Sequence, residues 1–240
     1  MVDAAGHLLV IGASSGIGRR LVERRVGACA VTAVARRGER LAKLEVLGAK
    51  TITADVADLS TIAGLIQAAV GAQGPLTALV YCAGVQRIKP IRMMTPADVE
   101  LIYKINLVVP TLLAGQFASR RVSKEDAVFC VLSSIAALRP EPGIVAYGAA
   151  KAGVDALIHG LAREIGPRRA VGVAPGWLDT EMTQQFPHLY GEDFKARLAK
   201  DSPAGAATVD AVVDSIEFLL SPKARYITGE VIRVDGGAVL

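Results

Sequence analysis

Tyr147 and Lys151 stand four residues apart at the end of the stretch SSIAALRPEPGIVAYGAAK, which begins at Ser133. They open a segment, Val145 to Ile165, whose apolar spacing reads as a helix. Side chains at i and i+4 share one helical face, so a phenol and an ammonium would stand one turn apart. A cation beside a tyrosine favours the phenolate and lowers a pKa that normally lies near ~10. General acid–base chemistry near neutral pH needs such a group. Tyr-x-x-x-Lys also arises by chance in many helices, so its weight depends on what else in the chain is directed toward it.

A second stretch with chemical potential is Ile11-Gly12-Ala13-Ser14-Ser15-Gly16-Ile17-Gly18, between an apolar run and a helical pattern. Glycines there permit a tight turn and let backbone N–H groups approach a pyrophosphate at the positive end of a helix. The spacing is Gly-x-x-x-Gly-x-Gly rather than the commoner Gly-x-Gly-x-x-Gly.

Short apolar runs alternate with helical patterns along the whole chain. Strands are predicted at His7–Ile11, Ala30–Ala35, Lys50–Thr53, Leu76–Tyr81, Ala127–Leu132, Ala170–Ala174 and Val231–Val234. Helices are predicted at Ile17–Val26, Glu39–Leu47, Leu59–Val70, a long one from Thr95-Pro96 to about Ser119, Val145–Ile165 and Val209–Leu220. The stretch from Leu178 to Ala206 is polar and irregular, which suits a lid over a substrate pocket. This alternation argues for a single-domain α/β fold over residues 1–240, a Rossmann-like, doubly wound parallel sheet of about seven strands with helices on both faces.

Composition narrows the function classes. The 240 residues are 52% hydrophobic and only 5% aromatic, which suits helices packed closely on a parallel sheet. The net charge of +4 is modest and no basic run exceeds two residues, against a nucleic-acid face. Cys29, Cys82 and Cys130 are odd in number and lie in apolar surroundings, as for buried thiols in a reducing compartment. No apolar stretch reaches the length of a membrane span and the N-terminus has no basic signal region, so a cytoplasmic location is expected. No histidines have metal-ligand spacing; His7 and His159 read as structural and His188 as a loop residue.

Taken together, these residues resemble the short-chain dehydrogenase/reductase family. The resemblance rests on the glycine-rich turn, Asp55 after the third strand, Ala83-Gly84 after the fourth, and Asn106 in the long helix. It continues with Ser134, thirteen residues before Tyr147, then Tyr147-x-x-x-Lys151, Pro175-Gly176, Asp179-Thr180, Tyr226-Ile-Thr-Gly229 and Asp235-Gly-Gly237. It implies Tyr147 as the general acid of carbonyl reduction, and Lys151 as the group that lowers the phenol's pKa and holds the nicotinamide ribose. It implies Ser134 as the hydrogen-bond donor to the substrate oxygen, and Asn106 as the holder of a water in a proton relay from Lys151. On an extended segment Ser133 should point away from Ser134. Gly12, Gly16, Ile17, Gly18, Cys82, Ala83, Gly84, Pro175 and Gly176 would wall the dinucleotide. Asp55 and Val56 would meet its adenine, and Leu178 and Thr180 its carboxamide. Two positions depart from the family: Ile11 replaces its usual Thr, and Cys82 replaces the Asn of Asn-Ala-Gly. Cys82 reads as a small packed substitute, not a nucleophile.

At the end of the second strand an acid would accept the ribose 2′-hydroxyl of NAD, whereas arginine accommodates the 2′-phosphate of NADP. Here Ala35 stands at the acid's place and Arg36-Arg37 follow. NADPH is therefore expected, with Arg36 the main contact and Arg37, Ser14 and Ser15 adding donors. Val85, Ile88, Met93, Met94, Trp177, Met182, Phe186, His188, Leu189, Tyr190 and Phe194 are the candidates for an apolar pocket around a medium-sized ketone, though they could equally be lid packing. Arg120, Arg121, Arg168 and Arg169 read as scattered surface arginines or as a face for an acidic carrier, as comparable helix ends are in the family's 3-oxoacyl-carrier-protein reductases. The helices near 95–119 and 145–165 are apolar on more than one side, and the family pairs them in homodimers and homotetramers. Three functions remain open: a biosynthetic NADPH-dependent ketone reductase, a 3-oxoacyl-thioester reductase, and a dinucleotide-binding sensor without turnover.

Overall fold

A computed structural model of the chain describes residues 6–184 and 192–239. Its centre is one seven-stranded, wholly parallel sheet in the order β3-β2-β1-β4-β5-β6-β7. The strands are β1 (His7–Ile11), β2 (Ala30–Ala35), β3 (Lys50–Thr53), β4 (Leu76–Tyr81), β5 (Ser123–Leu132), β6 (Arg169–Pro175) and β7 (Val231–Val234). A sheet covered on both faces needs apolar residues at successive positions, because neighbours on a strand point to opposite sides. β1 shows this directly. Leu8 and Val10 join the core beneath α1 (Gly16–Arg25), α2 (Gly38–Val46) and α9 (Val209–Leu220). Leu9 and Ile11 join the core beneath α3 (Thr61–Gln73), α5 (Val109–Phe117) and α6 (Val145–Glu164). The strand order reverses between β1 and β4, and a crevice opens at their carboxyl ends, where open α/β sheets bind ligands.

The predicted helix over 95–119 is more structured than its periodicity implied. Thr95 caps α4 (Pro96–Tyr103) in a reciprocal box with Asp98, whose carboxylate also accepts from Lys89 Nζ at 2.6 Å. Residues Lys104–Val108 then form a π-helical turn before α5 begins. In that register Val109 N–H donates to the Lys104 carbonyl, so the following N–H would serve Ile105. Residue 110 is proline and has no N–H to give. The buried Tyr81 hydroxyl takes its place, donating to the Ile105 carbonyl at 2.6 Å. Thus the widened turn is closed by a side chain from the sheet.

The segment after β6 is not uniformly irregular. It contains α7 (Glu181–Gln184) and α8 (Glu192–Asp201), with Trp177 and Phe194 in ring contact at 5.5 Å between centroids. The predicted pocket residues Phe186, His188, Leu189 and Tyr190 lie outside the described residues. His7 is structural, its ring nitrogens 2.8 Å from the Gly74 carbonyl and 2.9 Å from Thr32 Oγ1.

One basic pair has an internal role. Arg168 is buried against Ser123, with Nε 2.6 Å from its Oγ and Nη2 2.9 Å from its carbonyl. Arg169, also buried, donates to the carbonyls of Leu219 and Ile227. Neither can face a carrier, so for these two arginines the expectation is corrected: their guanidiniums are spent on Ser123 and on backbone carbonyls around the start of β6, while Arg120 and Arg121 are exposed. On the surface, Arg20 and Arg24 pair with Asp210, Asp214 and Glu217 of α9. Among the described helices, none is long and apolar enough to cross a membrane.

Candidate active site

The cleft at the carboxyl ends of the strands holds about 1080 Å³. Its wall takes in every predicted catalytic and dinucleotide-binding residue except Asn106, which is fully buried behind it. The floor is the turn between β1 and α1. Gly12 has φ +91°, and a Cβ there would meet the Ala83 nitrogen at 2.5 Å. A Cβ on Gly18 would meet the Gly12 carbonyl oxygen at 2.5 Å, so the helix can lie this close to the strand only without a side chain. Ser15, the residue preceding α1, makes no side-chain cap, and the first turn of the helix carries no acid. The N–H groups at this helix start are thus left to an external anion. The turn therefore fits the diphosphate of a dinucleotide.

Cys82 follows β4, donating its N–H to the Ile11 carbonyl at 2.8 Å, and packs against the core beneath α1, α2 and α9. Burial first, and the neighbouring Cys130 second, push its thiol well above the usual range despite the Lys151 charge. It is a packed thiol, as the sequence suggested.

Asn106, inside the π turn, acts as a clamp. Its Nδ2 donates to the Val85 carbonyl and the Ile102 carbonyl, both at 2.8 Å, while Val85 N–H donates to its Oδ1 at 3.3 Å. Gly84 must be small here, because a Cβ would stand 3.2 Å from Asn106 Oδ1. Both amide hydrogens are spent on backbone carbonyls, so they position the loop after β4 rather than hold a water.

The two serines after β5 point apart, as extended backbone requires. Ser133 is buried and donates to Asp155 Oδ1 in a short hydrogen bond. Ser134 lines the cleft, and its Oγ accepts from Ala136 N–H at 3.1 Å, which leaves the hydroxyl hydrogen for another acceptor. On α6, Lys151 Nζ lies 5.6 Å from the Tyr147 ring centroid and donates to the Leu132 carbonyl at 2.7 Å. Burial lowers the Lys151 pKa to about 8, although Cys82 and Asp155 act in the opposite direction.

At the adenosine end the two arginines separate. Arg36 is mostly exposed, with Nη1 3.9 Å from Asp55 Oδ2. Arg37 turns inward, its Nη2 2.9 Å from Ser14 Oγ and 3.2 Å from Ser15 Oγ. Arg37, not Arg36, is joined to the glycine-rich turn. At the opposite end the wall includes Val85, Ile88, Trp177, Met182 and Phe194, as the sequence suggested, but also Arg87, Arg139 and Arg197. Met93 is instead exposed, and Met94 packs beside Ile102 and Ala146.

Sequence reasoning missed Tyr81, Asp155 and Glu181. A phenol ending an apolar strand signals a need for a buried acceptor, and Asp155 lies one helical turn beyond Lys151. Glu181 has no local signal, since its partners Arg37 and Arg40 are more than a hundred residues away.

A statistical model of the family described as "Enoyl-(Acyl carrier protein) reductase" matches residues 12–239. The chain belongs to the short-chain dehydrogenase/reductase family. It is 32% identical to the acetoacetyl-CoA reductase of Synechocystis sp. over 237 residues, covering 95% of this chain and 94% of that protein. It is 31% identical to the 3-oxoacyl-[acyl-carrier-protein] reductase FabG of Vibrio harveyi, covering 95% of each. The crystal structure of a short-chain dehydrogenase/reductase of Brucella melitensis, described as glucose/ribitol dehydrogenase, superposes with a TM-score of 0.92 at 28% identity, covering 100% of this chain and 98% of that one. This short-chain dehydrogenase/reductase is an oxidoreductase.

Proposed function

We propose that the protein reduces a ketone to a secondary alcohol with NADPH, Tyr147 serving as the general acid. The observation that carries the reading is the placement of Tyr147 and Lys151 on the wall of the same cleft as the glycine-rich turn and the Arg36-Arg37 pair. When bound, the nicotinamide dinucleotide supplies the hydride that the carbonyl carbon accepts. Ser134 uses its free hydroxyl hydrogen to hold the carbonyl oxygen, where negative charge grows. Tyr147 gives its phenolic proton to that oxygen, and the charge left on the phenol is eased by Lys151. With its pKa near 8, Lys151 is mostly protonated at pH 7 and loses its charge as pH rises through 8. Lys151 would also hold the nicotinamide ribose. Asn106 keeps a part in proton relay through its oxygen atoms, because both amide hydrogens are taken.

The NADPH assignment rests on Ala35 at the strand end, where an acid would favour NAD, and on Arg37 at Ser14 and Ser15 with Arg36 beside it. Asp55 and Val56 are assigned to the adenine, and Leu178 and Thr180 to the carboxamide. A second reading, a 3-oxoacyl thioester as the ketone, is supported by the names of the two curated relatives and by the arginines at the cleft mouth. A sensor without turnover is disfavoured, since binding alone requires neither a proton-donating Tyr147 nor an oriented Ser134. We further assign residues 1–240 to a single domain, place the enzyme in the cytoplasm, and expect α5 and α6 to pair copies in a dimer or tetramer, since Val108, Leu112 and Val145 are exposed along this region.

The test is oxidation of NADPH and of NADH across diketones, cyclic ketones, quinones and 3-oxoacyl thioesters with and without a carrier protein. Turnover of one carbonyl class with NADPH preferred supports the reading and names the substrate group. Equal use of NADH, unaltered in Arg37→Ala, removes the cofactor assignment.

A further inference from the structure

Glu181, at the start of α7, reaches across the adenosine end of the cleft. Its carboxylate accepts from Arg37 Nη1 at 3.1 Å and from Arg40 Nη1 at closer range. Arg37 holds Ser14 and Ser15 with its other nitrogens, so one guanidinium ties the glycine-rich turn to the segment following β6. Partial burial raises the Glu181 pKa, but hydrogen bonds from Arg40 and Arg37 outweigh it and hold the carboxyl below its usual value. A full negative charge therefore sits against the cations that flank the glycine-rich turn. Glu181 is itself part of the cleft wall.

The consequence follows from charge. A ribose 2′-phosphate is a multiply charged anion that draws on guanidinium donors, while a 2′-hydroxyl draws on none in particular. A phosphate bound by Arg37 would share the guanidinium's donors with Glu181, whose carboxylate would stand near it as a like charge. A cofactor without the phosphate leaves both ion pairs in place. We propose that Glu181 is a specificity-determining residue that competes with the 2′-phosphate for Arg37 and Arg40, so that it narrows the cleft's preference for NADPH over NADH. The inference rests on the NADPH reading above. It assigns the carboxylate a role opposite in sign to that of the arginines.

Binding of 2′,5′-ADP and of 5′-AMP to the full chain, measured by titration calorimetry, tests this without turnover. These probes are the adenosine halves of the two cofactors and differ only in the phosphate at issue. Removing an exposed ion pair and a like charge predicts that Glu181→Gln binds 2′,5′-ADP roughly three- to tenfold more tightly, with 5′-AMP changed by less than about twofold. Glu181→Ala should move in the same direction, and melting curves check that each variant is folded. Unchanged or weaker 2′,5′-ADP binding in both variants, or an equal shift for both probes, overturns the proposal and returns Glu181 to an anchor for α7. Arg37→Ala separates the two levels of inference. If it loses the advantage of 2′,5′-ADP over 5′-AMP while the Glu181 variants stay flat, only the competition falls. If it leaves 2′,5′-ADP binding intact, the reading of the phosphate by Arg37 and the competition fall together.

Discussion

Lys151→Met should stabilise the cofactor-free protein at pH 7 while removing its activity. Lys151 is 3% exposed, and its ammonium is held at a pKa of about 8 against an ordinary 10.5, burial being the main cause. A depression of that size corresponds to about 3 kcal/mol of penalty for keeping the charge in the folded protein. Methionine fills the apolar path of the lysine stem without the charge. It also gives up the hydrogen bond to the Leu132 carbonyl, made at 2.7 Å, which costs about 1–2 kcal/mol when the acceptor stays buried. The difference leaves a gain of about 1–2 kcal/mol, or roughly 2–6 °C in melting temperature for a chain of this length. The gain must depend on pH. Both folded and unfolded wild type hold the proton below about pH 8, and only the unfolded chain holds it from there to about 10.5. Wild-type stability therefore rises through that window while the methionine variant has no matching term. Urea unfolding of both proteins at matched concentration, at pH 7 and pH 10, reads the effect. The variant should lead at pH 7 and fall level or behind by pH 10. A variant less stable at pH 7, or a difference that does not move with pH, would refute the assignment of a desolvated ammonium.

Other outcomes follow from the same geometry. Asn106→Ala removes three hydrogen bonds and strands the Val85 backbone, so denaturant unfolding should show a loss of about 2–3 kcal/mol, with a reduced kcat. Gly12→Ala drives a Cβ into the Ala83 backbone at 2.5 Å, and calorimetry should find dinucleotide binding weakened at least about tenfold in whatever protein folds. Arg168→Ala should lower stability by about 2–4 kcal/mol, because Ser123 loses two buried hydrogen bonds and keeps only that of its Oγ to the Phe117 carbonyl among its side-chain contacts, yet alter kinetics with carrier-bound and free thioesters to the same extent.

The strands were the most readable part of the chain. β1, β2, β3, β4 and β7 begin and end at the predicted residues; for the internal β1, β2 and β4 this follows because apolar runs bounded by turns are what a sheet covered on both faces demands. β5 starts earlier than its apolar run because Ser123 pairs with Leu76 before a register irregularity, and Arg169 extends β6 by burying its charge on two carbonyls. The π turn was not legible. Its apolar spacing passes for an α-helix, and the role of Pro110 becomes apparent only with Tyr81 in place. In the candidate site, motif spacing pointed to residues that line one cleft, many of them at strand ends or helix starts. It ranked Arg36 above Arg37 because adjacent arginines cannot be told apart until the chain's direction after β2 is known. Glu181 escaped for a related reason: an ion pair made across the cleft leaves no trace in local pattern.

The most direct measurement is steady-state reduction of the best carbonyl substrate by Tyr147→Phe, beside NADPH binding to the same protein. Loss of a general acid should lower kcat by roughly a hundredfold or more, while the dissociation constant for NADPH stays near that of the wild type. Turnover at the wild-type rate in the phenylalanine variant would contradict the account, since no phenolic proton would then be needed.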